Sequence, residues 1–148
     1  MENKNYNAAI TVSQSPNEVF KSINRVSKWW TENLDGDSEN LHGVFTVNFG
    51  NNNFVTHKLI EVIPNNKVVW IVTDCYLSWI KDKTEWTNTK MSFEISTKGN
   101  STDMVFTHIG LVPGVECYDM CVKGWDQYIK ASLFKLITEG TGQPQKKM

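Results

Sequence analysis

His108 carries the clearest chemical promise in this sequence. It stands in "TDMVFTHIG", where Met104, Phe106 and His108 alternate and so share one face of a strand. An imidazole among apolar neighbours needs a partner, because burying a polar group unpaired costs ~1–3 kcal/mol. Two readings stay open. One is a pocket histidine that orients a ligand or transfers a proton. The other is a core histidine bonded to backbone or to a tyrosine hydroxyl. His42 and His57 stand near strand positions with no helpful spacing and read as ordinary strand residues. Cys117 and Cys121 lie four apart on a helical pattern, within reach of a shared ion. No second pair stands at ligand spacing and no His-Glu-x-x-His occurs, so they read as packing residues and no metal is expected. Gly-x-Ser-x-Gly and a glycine-rich phosphate loop are both missing. Neither helical cysteine has a basic neighbour in sequence to activate it. No catalytic constellation is visible, and no cofactor is expected.

The aromatic residues suggest binding instead. The chain has six tryptophans, and Trp70, Trp79 and Trp86 cluster in "VVWIVTDCYLSWIKDKTEW". Trp70 alternates with Val68 and Val72 and points inward. Trp79 and Trp86 flank a charged connection, where they can line the mouth of a cavity. Ligand pockets are mostly apolar and aromatic with a few polar groups. Phe93, Phe106, Trp125 and Tyr128 are candidate wall residues, with His108 and Ser132 as candidate orienting groups. The competing reading is that large aromatics simply fill the core of a curved sheet.

These side chains must be held by a definite order of elements. "NYNAAITVS" reads as a first strand with Tyr6, Ala8, Ile10 and Val12 on one face. In "SPNEVF", Ser15 can cap a helix, Pro16 fits its first position and Glu18 lies three after the cap. Val19, Phe20 and Ile23 form its buried stripe, and a second short helix carries Val26, Trp29 and Trp30. The period then changes to two. Strands are expected around Phe45–Phe49, Phe54–Ile63, Val68–Cys75, Met91–Ile95 and Thr102–Leu111, separated by turns such as "GNNN", "PNNK" and "KGNS". The acidic run "TENLDGDSEN" reads as a solvated loop rather than a calcium site, since Asn40 and Thr46 stand where such a loop needs glycine and glutamate.

The last element begins near Glu116. Tyr118, Cys121, Val122, Trp125, Tyr128, Ile129, Ser132, Leu133 and Leu136 follow helical spacing, and Gly140, Gly142 and Pro144 end it. Cys117, Gly124, Ala131 and Thr138 recur every seven residues as a small-residue flank. Either a neighbour approaches Gly124 closely or the flank is plain surface.

Composition bounds the rest. The 148 residues suit one domain over 1–148, with a core sufficient without metals or disulfides. Fifteen basic and sixteen acidic residues give a net charge of −1, which supplies no footprint for nucleic acid. No segment approaches the ~20 apolar residues of a membrane span, and the start has no signal-like apolar run. Three cysteines without a secretory signal point to reduced thiols in a cytoplasm.

The order of strand, two short helices, antiparallel meander and long C-terminal helix resembles the START-like (SRPBCC) superfamily. Within it the chain resembles the branch named after the activator of the heat-shock-protein-90 ATPase. The residues that carry this are "SPNEVFKSI" with "KWW", "EVIPNNKVVW", "TDMVFTHIGL" and above all "GWDQYIKASLFKLITEGTGQP". "DKTEW" and "VPGVECYDMC" suggest a bacterial stand-alone subgroup. The resemblance implies an α+β helix-grip fold, with a curved antiparallel sheet of six to seven strands wrapped around the C-terminal helix. In many members a cavity lies between sheet and helix. Relatives include lipid carriers, hormone receptors, polyketide cyclases and chaperone-binding domains. The eukaryotic activator carries a separate N-terminal chaperone-binding domain that these residues do not include.

The leading expectation is a non-catalytic protein that holds a small apolar or amphipathic molecule in an enclosed cavity of about 300 Å³ or more. A second is an interaction module acting on a chaperone ATPase. A third is a polyketide-cyclase-like enzyme with His108 as acid–base. Met120 and Phe134, on the helix side opposite the stripe, are candidate contacts for a chaperone or for self-association.

Overall fold

The computed structural model describes residues 5–147. Met1–Lys4, part of the start read for a targeting signal, lie outside the described residues. The elements are β1 (Tyr6–Val12), α1 (Pro16–Asn24), α2 (Val26–Trp29), β2 (Leu34–Gly36), β3 (Val44–Gly50), β4 (Asn53–Ile63), β5 (Lys67–Tyr76), β6 (Lys90–Lys98) and β7 (Ser101–Ile109). A C-terminal helix follows as α3 (Tyr118–Trp125), a π-helical stretch (Asp126–Leu133) and α4 (Phe134–Glu139).

Local chemistry explains the boundaries. In β1, Tyr6, Ala8, Ile10 and Val12 are buried and the residues between them are exposed, as strict alternation requires. Helix α1 starts where Ser15 Oγ accepts the Glu18 backbone N–H at 3.2 Å, with Pro16 at the first position. At the β3–β4 turn the chain enters the left-handed region at Gly50, Asn51 and Asn52, which Gly and Asn tolerate.

The seven strands form one antiparallel sheet in the order β1-β7-β6-β5-β4-β3-β2. Strands β3 to β7 are a meander, and β1 pairs with β7 so that Tyr6 faces His108 and Ile10 faces Met104. Two register shifts between β4 and β5, at Thr56/His57 and at Leu59/Glu61, add the bend that curves a sheet. The C-terminal helix crosses the concave side. Tyr6 donates its hydroxyl to Asp126, tying the first strand to that helix.

Three sequence expectations change here. The acidic segment is only partly loop: Leu34–Gly36 is an edge strand on β3, and Asp37 accepts N–H bonds from Glu39 and Asn40 to shape the following turn. His42 lies in a turn with φ 68°, not in a strand. The long helix also departs from a uniform 3.6-residue period. Its middle is π-helical, yet the expected stripe still faces inward: Trp125, Ile129, Ser132, Leu133 and Leu136 are buried, joined by Ile137, with Tyr118, Cys121, Val122 and Tyr128 half-buried.

Candidate functional site

A groove of about 220 Å³ opens where four parts of the chain meet. Trp30 comes from the end of α2 and Phe49 from the end of β3. Leu77, Trp79 and Trp86 come from the connection between β5 and β6. The start of the C-terminal helix supplies Cys117, Met120, Cys121, Gly124, Trp125 and Tyr128. None of these side chains carries a charge, and Tyr128 contributes a hydroxyl that burial makes harder to ionise.

The two jaws are tied to each other. The Glu85 carboxylate accepts the backbone N–H groups of Glu116 and Cys117 at 3.1 and 3.2 Å, at the entry of the C-terminal helix. There its charge complements the helix dipole. In return, the Glu116 carboxylate accepts the Lys81 N–H at 2.9 Å. The connection is further pinned by Ser78 N–H to Asn53 Oδ1 at 2.7 Å and by Val72 and Asn88 pairing backbone to backbone.

Gly124 has nothing within 4 Å of where a Cβ would stand. The expected alternatives of close approach or plain surface therefore give way to a third: the missing side chain leaves room in the groove. Cys117 and Cys121 are joined as a disulfide, whereas Cys75 is a free, buried thiol. This corrects the expectation of reduced thiols at Cys117 and Cys121 and leaves it standing at Cys75. One helical turn separates the two, and their Cα atoms stand 5.6 Å apart, within disulfide reach.

Beneath the groove the space between sheet and helix is filled by rings. Trp125 sits 4.6 Å from Phe106 and 4.9 Å from Trp30 between ring centroids. Phe93 sits 4.8 Å from Trp70 and 5.0 Å from Phe106. Trp70, Phe93 and Phe106 are thus fully buried core and do not line the groove. The enclosed central cavity expected from the sequence is replaced by an open groove at one end of the helix.

His108 is fully buried with both nitrogens engaged. The Trp125 indole N–H, which can only donate, reaches His108 Nδ1 at 3.0 Å. The imidazole proton therefore sits on Nε2 and is donated to Thr89 Oγ1 at 2.9 Å, and Thr89 donates to the Trp86 carbonyl at 2.6 Å. Burial pushes the pKa down to about 3, keeping the ring neutral. His108 is a core histidine, though its partners are a tryptophan and a threonine rather than a tyrosine or backbone. Its effect on the groove is to fix two walls, Trp86 and Trp125.

Ser132 is also structural in placement. Its hydroxyl donates to the Trp29 carbonyl and accepts the Gln143 N–H, both at 2.7 Å. It locks α2 and the C-terminal tail against the helix, which holds Trp30 in position. Of the expected site residues, Trp79, Trp86, Trp125 and Tyr128 meet at the groove, while Trp70, Phe93, Phe106, His108 and Ser132 stand behind it. Met120, 59% exposed, stands at the groove rim, and Phe134 is exposed outside the groove. Sequence reasoning missed Trp30, Phe49 and Leu77. Nothing in the spacing marked Trp30, because Trp29 and Trp30 are both buried and both rings pack on Trp70.

No protein-family model matches the chain, and no curated protein matches it significantly. Solved structures do. The solution structure of the Aha1 dimer from Colwellia psychrerythraea is 24% identical, with a TM-score of 0.74 over 93% of this chain and 98% of that one. DynU16, a putative protein in the dynemicin biosynthetic locus, gives 13% identity and a TM-score of 0.68, covering 99% of this chain and 52% of that one. This chain has the helix-grip fold. A third helix-grip neighbour, CalU16 from Micromonospora echinospora, is 13% identical with a TM-score of 0.61, over 88% of this chain and 73% of that one.

Proposed function

We propose that this helix-grip chain is a non-catalytic binding protein that takes a small apolar or amphipathic molecule in the groove between the β5–β6 connection and the C-terminal helix. The observation that carries this is the uncharged aromatic wall of Trp30, Trp79, Trp86, Trp125 and Tyr128 around the space that Gly124 leaves open. Such walls suit flat apolar ligands, and the volume lies below the ~300–1,000 Å³ of drug-sized sites. A small ligand is therefore favoured. The likeness to proteins such as DynU16, from a biosynthetic locus, agrees with a small-molecule role. His108 acting as acid–base is disfavoured, because both its nitrogens are already committed.

A second reading has its own observation. Trp79 and Met120 are 43% and 59% exposed at the groove rim, as residues of a protein contact would be. The likeness to a dimeric Aha1 makes a second copy or a chaperone the partner to test. Native mass spectrometry of the protein purified from its own host separates the two. A monomer that releases a small uncharged molecule is the expected result. A ligand-free dimer or protein complex would overturn the first reading in favour of the second.

A further inference from the structure

In the groove wall and behind it lie buried polar atoms that the described residues do not satisfy. Both ring nitrogens of His57, and the indole nitrogens of Trp70 and Trp86, are buried without a hydrogen-bond partner. Native proteins rarely leave such atoms orphaned, so each needs an explanation. His57 projects inward from β4 and is fully buried. Its ring stacks on Phe45 at 4.6 Å and meets Trp30 and Trp70 edge-on, each at 5.4 Å. The Phe45 carbonyl nudges its proton affinity upward without hydrogen-bonding geometry. Burial and the nearby His108 outweigh this and keep the ring neutral.

Trp30 therefore has two faces. One lines the groove and the other covers His57. Its backbone is held at both ends, by Trp30 N–H to the Val26 carbonyl and by the Gln145 N–H to its own carbonyl. Its side chain packs against Trp29, Phe49, Trp70 and Trp125, so the groove reaches His57 only when the Trp30 ring moves against these neighbours. A neutral imidazole offers one N–H and one lone pair, and each indole offers one N–H. A hydroxyl answers both needs, since it donates to the bare imidazole nitrogen and accepts from a neighbouring N–H. A carboxylate or ammonium would have to enter a groove whose lining supplies no opposite charge, at a large desolvation cost.

We propose that Trp30 gates a polar recess at His57, and that the ligand class is an uncharged, flat, largely apolar molecule whose hydroxyl passes Trp30 to hydrogen-bond His57. This rests on the groove being the ligand site. The test uses three molecules with one ring system: naphthalene, 2-naphthol and 2-naphthoate. Each is titrated into the protein while the imidazole and indole nitrogen resonances are followed by NMR.

The expected result is that 2-naphthol binds about tenfold more tightly than naphthalene, the worth of about one net hydrogen bond, and that 2-naphthoate binds weakest. The His57 nitrogen resonances should move with 2-naphthol and not with naphthalene. His57→Phe keeps a ring of similar size but removes both nitrogens. It should lower 2-naphthol binding to the naphthalene level and leave naphthalene binding unchanged. Should that variant fail to fold, the His57 resonances of the wild-type protein decide the matter alone. Equal binding of naphthalene and 2-naphthol, unmoved His57 resonances, or a preference that survives His57→Phe would overturn the recess, leaving those nitrogens to a structural water. Naphthalene binding tests the groove by itself. Its success without a 2-naphthol preference refutes the recess alone, and no binding by any of the three refutes both.

Discussion

Replacing each buried histidine by phenylalanine should give opposite results at neutral pH. His108→Phe strands the Trp125 N–H and takes a donor from Thr89. Leaving a buried group unpaired costs ~1–3 kcal/mol, so stability should fall by about that much. His57→Phe removes two nitrogens that have no partner and keeps the stacking on Phe45. Its stability should lie within about 0.5 kcal/mol of wild type or above it. Acid adds a second signature. The unfolded chain protonates each imidazole near 6.5, whereas the folded protein resists until about 3. The stability these neutral rings contribute is complete above 6.5 and is lost as the pH falls towards 3. Between pH 7 and pH 5 each histidine accounts for about 2 kcal/mol of that loss, or about 4 kcal/mol together. Each single variant should lose about 2 kcal/mol less over this interval than wild type does. Urea unfolding followed by tryptophan fluorescence at both pH values measures all of these quantities. Wild-type stability that is equal at pH 7 and pH 5, or two variants of equal stability at pH 7, would refute the reasoning.

Two further substitutions probe how the groove is built. Ser132→Ala leaves the Trp29 carbonyl and the Gln143 N–H unpaired. It should cost ~1–3 kcal/mol in urea unfolding and shift the Trp30 indole resonance, because α2 loses its anchor. Gly124→Ala should stabilise the fold by about 0.5–1 kcal/mol, since the helix gains propensity and the new methyl meets nothing. Gly124→Leu should instead fill the groove and abolish naphthalene binding, read by the same NMR titration.

Much of the fold was legible because its signals are local. The alternation of Tyr6, Ala8, Ile10 and Val12, the Ser15 cap and the asparagine turns each act over a few residues and agree with one another. The π-helical middle of the last helix was not legible, because the apolar spacing of 118–139 also satisfies an ordinary helix. The site was legible in part. Trp79, Trp86, Trp125 and Tyr128 share an apolar character that suits a wall. Whether an aromatic residue lines space or fills it depends on neighbours from distant segments. That is why Trp70 and Phe93 proved to be core while Trp30 and Phe49 reached the groove. His57 read only as an ordinary strand residue, because its burial and lack of partners depend on Trp30, Phe45 and Trp70 closing over it.

The six tryptophans make the central claim directly measurable. Four of them, Trp30, Trp79, Trp86 and Trp125, line the groove, and Trp29 and Trp70 are buried behind it. Adding naphthalene to nitrogen-15-labelled protein and recording the indole N–H resonances reads all six at once. Saturable shifts at the four groove tryptophans, with Trp29 and Trp70 unmoved, are the expected result. No shift at any of the four, or shifts led by Trp29 and Trp70, would contradict a ligand site in this groove.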